Sequence, residues 1–176
     1  DVFVRHQTKE EIKTGGLTVG FTGYGGNHHI GPEFQLGHLV GEAYEEPVLL
    51  IKTAWGGKSI HKDFRPPSSS GSTGEFYKMM LAEYREGLAR IADEFPQLAK
   101  RKPELNGFVW FQGWNDMFDK DALRDYEANL INLVKDVRRE FRQPNLPVVI
   151  GELGNGGPKA GNNMLAIRKA QKAAAK

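Results

Sequence analysis

The chain has 176 residues, 39% of them hydrophobic and 26% charged, which is the composition of a globular domain long enough to bury a core. Its 24 basic and 22 acidic residues are spread along the whole length. The sequence therefore has no stripe of basic residues that would indicate a nucleic acid partner. The absence of cysteine excludes disulfides, thiol catalysis and thiolate metal sites. No apolar run approaches the length of a membrane span. Residue 1 is Asp, which leaves open that a signal peptide preceded it.

The N-terminal segment combines short strand-like pieces with glycine-rich loops. Residues 1–5 resemble a strand, and residues 17–19 are a possible second one. Residues 23–28 contain several glycines but do not form a dinucleotide-binding fingerprint, because His28 stands where the third glycine is required. This segment is therefore predicted to be a surface loop.

A helix is predicted to begin at Pro32. Proline suits the first helical position, and Glu33 suits the positive end of the helix dipole. The apolar residues that follow have helical spacing: Phe34, Leu36, Leu39, Val40 and Ala43. His28 and Glu33 have no third partner at ligand spacing nearby, so no metal site is predicted here.

Residues 47–54 are apolar enough to predict a strand buried on both faces. Gly57-Lys58-Ser59 after it matches the end of a P-loop, but Lys52 stands where that motif needs its first glycine. The prolines at 66 and 67 also prevent the helix that a P-loop requires. The better interpretation is a glycine turn whose amides point outward, as an oxyanion site requires.

Further helices and strands alternate along the second half of the chain. A capping box of Ser72 and Glu75 predicts a helix that Pro96 stops, and its apolar face holds Phe76, Met80, Tyr84, Leu88, Ile91 and Phe95. A later amphipathic helix has Leu123, Tyr126, Leu130, Leu133, Val134, Val137 and Phe141 on its buried side. Residues 148–150 form a strand, and a basic helix begins near Asn163. This alternation predicts an α/β fold with a parallel sheet covered on both faces.

Residues 107–117 lie between the two long helices and are predicted to be the central strand and its tip. The run of large apolar residues indicates a strand buried on both faces, and it breaks at Gly113. Asn115 and Asp116 then stand beyond the carboxyl end of the strand, where open α/β sheets bind ligands. An Asn-Asp pair after a strand is equally typical of an ordinary turn. Spacing alone does not separate these two interpretations.

Residues 53–60 (Thr-Ala-Trp-Gly-Gly-Lys-Ser-Ile) and 110–116 (Trp-Phe-Gln-Gly-Trp-Asn-Asp) resemble two signature blocks of the SGNH, or GDSL-type, hydrolases. More narrowly they resemble the sialate O-acetylesterase-like carbohydrate esterases, and residues 31–33 and 151–154 fall where that subfamily has similar segments. The resemblance implies one three-layer α/β/α domain over residues 1–176, with a flavodoxin-like parallel sheet that is incomplete at both ends. It implies a serine hydrolase that removes acetyl groups from sugars.

The resemblance also implies site residues. Gly57, or its neighbour Gly56, would give a backbone amide to the oxyanion hole, and Asn115 its side-chain amide. Gln112, Trp114 and Asp116 would contact substrate. Trp114 departs from the subfamily, which usually has Glu at this position. The expected partner is an acetylated carbohydrate, with no cofactor, metal, nucleic acid or membrane, and the expected location is secreted or periplasmic.

The larger departure is that the chain has neither the family's Gly-Gln-Ser or Gly-Asp-Ser nucleophile block nor its late Asp-x-x-His block. Ser59 and His61 do not substitute, because Ser59 is not in a nucleophile elbow and is expected to be a turn residue. The isolated chain is therefore expected to be an inactive segment of an active parent, with a gap where the family's first strand would pair. The alternative is a non-catalytic SGNH-like module that binds acetylated glycan or a protein.

Overall fold

The structure is a computed structural model that describes residues 1–8, 11–23 and 28–176. Of the loop predicted at residues 23–28, residues 24–27 lie outside this description. The chain divides into two compact units, and each is described by itself below. The first unit comprises Asp1–Gly56 and Met80–Pro103, and the second comprises Gly57–Met79 and Glu104–Lys176.

The first unit contains a three-stranded sheet in the order β2-β1-β3. Its strands are β1 (Val2–Gln7), β2 (Ile12–Gly16) and β3 (Val48–Lys52). Strand β1 runs parallel to β3 and antiparallel to β2. The predicted strand at residues 17–19 is wrong, since β2 ends at Gly16. Leu17 N still donates to Val2 O of β1 at 2.8 Å, and its side chain packs on Gly37, where an added Cβ would lie 2.6 Å from Leu17 Cδ2.

The helices of the first unit are α1 (Pro32–Ala43), the larger part of α2 (Glu75–Ala89) and α3 (Ile91–Glu94). The predicted start of α1 at Pro32 is confirmed. The Glu33 carboxylate accepts a hydrogen bond from Gly31 N, just before the helix, at 3.2 Å, and it forms an ion pair with Lys52 Nζ of β3 at 2.8 Å. The unit's core cluster consists of Ile91, Phe95 and Leu98, with Phe3, Leu49 and Leu88 packed against it.

Helix α2 begins in the second unit, and its start corrects the predicted capping box. The helix begins at Glu75, later than a Ser72 cap would place it. The loop at residues 63–65 supplies carbonyl acceptors instead. Gly74 N donates to Arg65 O at 2.9 Å, and Phe76 N donates to Asp63 O at 2.9 Å. Because these bonds satisfy amides at the helix start, no side-chain cap is needed there.

The second unit contains a parallel pair of strands, β4 (Phe108–Trp110) and β5 (Val148–Ile150). Helix α4 (Lys120–Glu140) follows β4, and helix α5 (Asn162–Ala174) follows β5. Asp119 caps α4 by accepting from the amides of Asp121 and Ala122. The predicted apolar face of α4 is confirmed at its central positions, where Tyr126, Leu130, Leu133 and Val137 are buried.

The central strand is covered on one face only. Trp110 is buried, but Val109 is 42% exposed and its partner in the register, Val149, is 57% exposed. The prediction of a strand buried on both faces is therefore wrong for β4. Strands β3 and β4 belong to separate sheets, so a three-layer fold with one continuous parallel sheet stays a prediction. Among the described residues, no helix is both long enough and apolar enough to cross a bilayer.

Candidate active site

The exit from β4 is fixed by helices α4 and α5. Gly113 has φ +146°, and a Cβ there would lie 2.9 Å from both Ile167 Cγ2 and Tyr126 Oη, so only glycine fits. The preceding carbonyl, Gln112 O, accepts from Tyr126 Oη at 2.6 Å and from Gln171 Nε2 at 2.9 Å. The backbone thus leaves the strand along a fixed path.

The exits of the two strands are joined through α5. Gln171 is buried, and besides its bond to Gln112 O its Oε1 accepts from Leu153 N at 3.1 Å. One side chain therefore bridges the segments that follow β4 and β5. Buried amide groups that are bonded at both ends hold such segments in one arrangement.

After Gly113 the chain forms one turn of 3-10 helix, Asn115–Phe118, in which Asp116 points inward. The carboxylate of Asp116 is fully buried. Its Oδ2 accepts from Ile60 N at 3.1 Å, and its Oδ1 accepts from His61 N at 3.0 Å. Burial raises the pKa of Asp116, while these hydrogen bonds act in the opposite direction. Asp116 therefore ties the turn at residues 57–61 to the end of the central strand.

Gln112 completes the same network. Its Nε2 donates to Asp116 Oδ2 at 2.6 Å and to Lys58 O at 2.9 Å. The Asp116 carboxylate and the Gln112 amide nitrogen are bonded to the protein's own groups, and the substrate contacts expected of these two residues stay predictions. Both side chains hold the glycine turn against the strand tip.

The two predicted oxyanion donors of the second unit lie side by side. Gly57 has φ +72°, a left-handed conformation that favours glycine, and a Cβ added there would lie 3.8 Å from Asn115 Nδ2. The Asn115 carboxamide therefore lies close to the Gly57 backbone, and the oxyanion-hole role of the two residues stays a prediction. Gly56, the alternate amide, is exposed and is the last residue of the first unit's N-terminal segment.

Ser59 and His61 lie in the same turn but serve different contacts. Ser59 Oγ donates to Asp63 Oδ2 at 3.2 Å and accepts from Lys62 N at 3.1 Å, which is the bonding of a turn residue. His61 Nδ1 lies 3.7 Å from Asp125 Oδ2. This geometry does not pair the Ser59 hydroxyl with the imidazole as a base. Within the described residues, no group of three or more His, Asp or Glu side chains is arranged to hold a metal ion.

Two aromatic residues are exposed on the 3-10 turn and the residue before it. Trp114 is 46% exposed and Phe118 is 70% exposed, and their rings meet edge to face with centroids 5.8 Å apart. Sequence reasoning singled out Trp114 but missed Phe118. The spacing gave no signal, since the residues that align on a 3-10 turn are three apart and these two are four apart. Lys58 was also missed as a packing residue, and its Nζ lies 4.1 Å from the centre of the Phe76 ring.

Comparisons with known proteins place this chain among the carbohydrate esterases. Residues 9–176 match the family described as "Carbohydrate esterase, sialic acid-specific acetylesterase". A probable carbohydrate esterase of Arabidopsis thaliana is 26% identical over 94 residues, which are 52% of this chain and 34% of that protein. The crystal structure of an Arabidopsis thaliana protein has the same fold with a TM-score of 0.64 at 19% identity, covering 95% of this chain and 62% of that one.

The class is therefore that of the carbohydrate esterases. Within it, the chain belongs to the family described as sialic acid-specific acetylesterases, because the match covers nearly the whole sequence. The chain spans only about a third of the curated relative in their alignment, and less than two thirds of the solved chain.

Proposed function

We propose that this chain is the oxyanion-hole segment of a carbohydrate O-acetylesterase. The observation that carries the proposal is the proximity of Gly57 and Asn115. A Cβ built on Gly57 would be in van der Waals contact with Asn115 Nδ2. The hydrogen bonds of Asp116 hold these two residues in place, since its carboxylate accepts hydrogen bonds from backbone amides of the turn that contains Gly57. Gly56 is the alternate source of the backbone amide.

The chemistry follows from where negative charge develops. When a serine attacks an acetyl ester, the carbonyl oxygen becomes an oxyanion, and donors already held in position stabilise it without reorganisation. The Gly57 amide and the Asn115 carboxamide are such donors. A side chain at residue 57 would be strained in this left-handed conformation, and glycine avoids that strain. The absence of a side chain also keeps the approach to Asn115 open.

The nucleophile and the base are proposed to come from chain outside residues 1–176. Within the described residues, the Ser59 hydroxyl is bonded to Asp63, and His61 faces Asp125. In acyl transfer the serine needs a base within hydrogen-bond reach, and Ser59 has a carboxylate acceptor instead of an imidazole. The alternative, a non-catalytic module that binds acetylated glycan or a protein, is not favoured, because the family match is to carbohydrate esterases.

The proposed substrate is a sugar carrying an O-acetyl group, with the sialate type suggested by the family's description. The proposed location is secreted or periplasmic, where such glycans are found. Oxyanion stabilisation in this mechanism requires neither a metal nor an organic cofactor.

The experiment that tests the proposal uses the full-length gene product. We expect it to release acetate from 4-nitrophenyl acetate and from an acetylated sugar, and to be labelled by a fluorophosphonate on a serine outside residues 1–176. Mass spectrometry of the labelled protein locates that serine. A label on Ser59 would show that the nucleophile lies inside this segment. Absence of both turnover and labelling would favour the non-catalytic module.

A further inference from the structure

The buried carboxamide of Gln171 is the strongest feature to which the proposed mechanism assigns no part. Gln171 lies on α5 and is 2% exposed. Its Nε2 donates to Gln112 O at 2.9 Å, and its Oε1 accepts from Leu153 N at 3.1 Å. One amide group therefore contacts the segment after β4 and the segment after β5 at once.

These two contacts require opposite hydrogen-bonding groups on one side chain. Gln112 O is an acceptor and needs a donor, whereas Leu153 N is a donor and needs an acceptor. A carboxamide carries both kinds of group on the same planar unit, and the amide of Gln reaches one methylene further than that of Asn. An apolar side chain at position 171 would remove both bonds and leave Gln112 O with its bond from Tyr126 Oη. The backbone at the strand exit would then be less constrained.

The contact at Gln112 O leads to the candidate oxyanion donors in two further steps. The side chain of Gln112 donates from Nε2 to Lys58 O at 2.9 Å and to Asp116 Oδ2 at 2.6 Å. Lys58 directly follows Gly57, and Asp116 directly follows Asn115. All of these residues belong to the second unit. A displacement of the Gln112 backbone would therefore move the immediate neighbours of both donors.

We propose that Gln171 is a positioning residue for Gly57 and Asn115 and that it acts through Gln112. The inference rests on the proposed esterase function. Gln171 fixes the backbone of Gln112, and the side chain of Gln112 then sets the distance between the glycine turn and the strand tip. Oxyanion donors are effective only when their spacing matches the place where charge develops, so this distance affects the rate of acyl transfer.

Arg168, one turn earlier on α5, provides a comparison within the same helix. Its guanidinium donates to the carbonyls of residues 153, 155 and 157 at 2.6, 2.7 and 2.8 Å, so it also holds the segment after β5. Within the described residues, its hydrogen bonds do not include the segment after β4. A variant of Arg168 therefore loosens the segment after β5 and leaves the link to Gln112 in place.

The test measures steady-state hydrolysis of 4-nitrophenyl acetate by the full-length gene product. Gln171→Met has a similar volume and lacks both hydrogen bonds. We expect it to lower kcat per folded molecule roughly tenfold, with KM changed by less than about twofold. The matched control, Arg168→Met, should lower the melting temperature and leave kcat near the wild-type value. An equal loss of kcat in both variants, or an unchanged kcat in Gln171→Met, would overturn the proposal.

Gln171→Glu supplies a second test that does not depend on the folding of the apolar variant. A carboxyl group at position 171 keeps an acceptor for Leu153 N. Its protonated form can donate to Gln112 O, and its ionised form cannot. The ratio of kcat for Gln171→Glu to kcat for the wild type should therefore fall as the pH rises through the pKa of the new carboxyl. A ratio that stays constant between pH 5 and pH 8 would contradict a role for the donor at this position.

A measurement that needs no turnover separates this proposal from the esterase assignment. The Asn115 carboxamide gives N–H signals in the ¹⁵N-labelled full-length gene product, and their loss in Asn115→Ala identifies them. We expect these signals to shift in Gln171→Met and to shift less in Arg168→Met. If they do so in a protein that hydrolyses no ester, only the esterase assignment fails. If the wild type hydrolyses the ester but Gln171→Met changes neither kcat nor these signals, only the positioning role fails.

Discussion

Asn115 is the residue on which the proposed chemistry depends most directly. Its carboxamide should meet the oxyanion only as the tetrahedral intermediate forms, so its contribution is concentrated in the transition state. In the full-length gene product, Asn115→Ala should lower kcat by roughly a hundred- to a thousandfold, or about 3–4 kcal/mol, with little change in KM. Asn115→Asp should be at least as damaging, because a carboxylate repels the developing charge. Steady-state kinetics on an acetylated sugar measure both.

The control for this prediction is Asn132→Ala. Asn132 also lies in the second unit, but its Nδ2 donates to Ser69 Oγ at 3.1 Å and has no place in the proposed mechanism. It should leave kcat unchanged. If Asn115→Ala lowers the melting temperature while turnover per folded molecule stays near normal, Asn115 only shapes the turn and the oxyanion-hole assignment fails.

Asp116 and Asp136 are two buried carboxylates with the same kind of task in different places. Asp136 accepts from Ser68 N at 2.7 Å and so anchors the loop at that residue, whereas Asp116 anchors the turn that contains Gly57. Replacing either by Asn leaves a buried donor poorly paired and should cost about 1–3 kcal/mol of unfolding free energy. Only Asp116→Asn should also lower kcat, by tenfold or more, because the oxyanion donors lose their spacing.

Urea unfolding and kinetics on both variants check this prediction. Equal losses of stability with unequal losses of kcat are the expected pattern. If Asp136→Asn slows turnover as much as Asp116→Asn, the effect belongs to general destabilisation and Asp116 has no positioning role.

At the residue scale the sequence predicted the pair Gly57 and Asn115 but not the network beneath it. A left-handed turn and a polar strand tip follow from local rules about glycine and strand ends. The direction in which Asp116 points does not, because it depends on amides more than fifty residues away in the chain. The bond from Gln112 Nε2 to Lys58 O could not be predicted for the same reason, since Lys58 lies 54 positions earlier.

Among the elements, the exit of β4 is the most tightly constrained. Gly113→Ala would combine an unfavourable positive φ with contacts of 2.9 Å to Ile167 and Tyr126. Strain and overpacking together should lower the free energy of unfolding by about 2–5 kcal/mol. Gly154→Ala is the matched control, because nothing lies within 4 Å of a Cβ there. A Gly113→Ala protein as stable as Gly154→Ala in urea would show that the strand exit has room to relax.

Helix α2 introduces a pH dependence into the first unit. Glu83 is buried, and burial raises the pKa of its carboxyl to about 7, although Arg5 acts to lower it. Because the folded protein holds this proton more tightly than the unfolded chain does, protonation of Glu83 stabilises the fold. That stabilisation is complete below the ordinary Glu pKa and is lost as the pH rises through about 7. Such a shift corresponds to roughly 3 kcal/mol.

Glu83→Gln should therefore match the wild type in urea at pH 5 and be more stable than it at pH 8. Glu75→Gln, at an exposed position at the start of the same helix, should change little at either pH. A difference between wild type and Glu83→Gln that is the same at both pH values would contradict the buried-carboxyl explanation.

The elements themselves were largely predictable, and the failures have physical causes. The amphipathic pattern of α4 and the proline at the start of α1 are strong local signals, and both helices form where expected. The Ser72 cap failed because backbone carbonyls of the loop at residues 63–65 satisfy the helix start. The apolar run of β4 indicated burial on two faces, but a run of apolar residues carries no information about whether a second covering layer is present.

For the whole molecule, the decisive prediction is that the 176-residue chain by itself does not hydrolyse 4-nitrophenyl acetate above background. An oxyanion hole contributes to catalysis only when an activated serine attacks the ester and generates the oxyanion. In this chain the Ser59 hydroxyl donates to Asp63 instead of to a base. Ser59→Ala should therefore leave the background rate unchanged and cost about 1 kcal/mol of stability through the lost turn bonds. Ser72→Ala, at an exposed loop position, is the control for loss of a hydroxyl. Turnover by this chain that disappears in Ser59→Ala but persists in Ser72→Ala would make Ser59 the nucleophile. It would also mean that the turn rearranges in solution to bring a base within reach of it, and that the catalytic serine need not come from elsewhere.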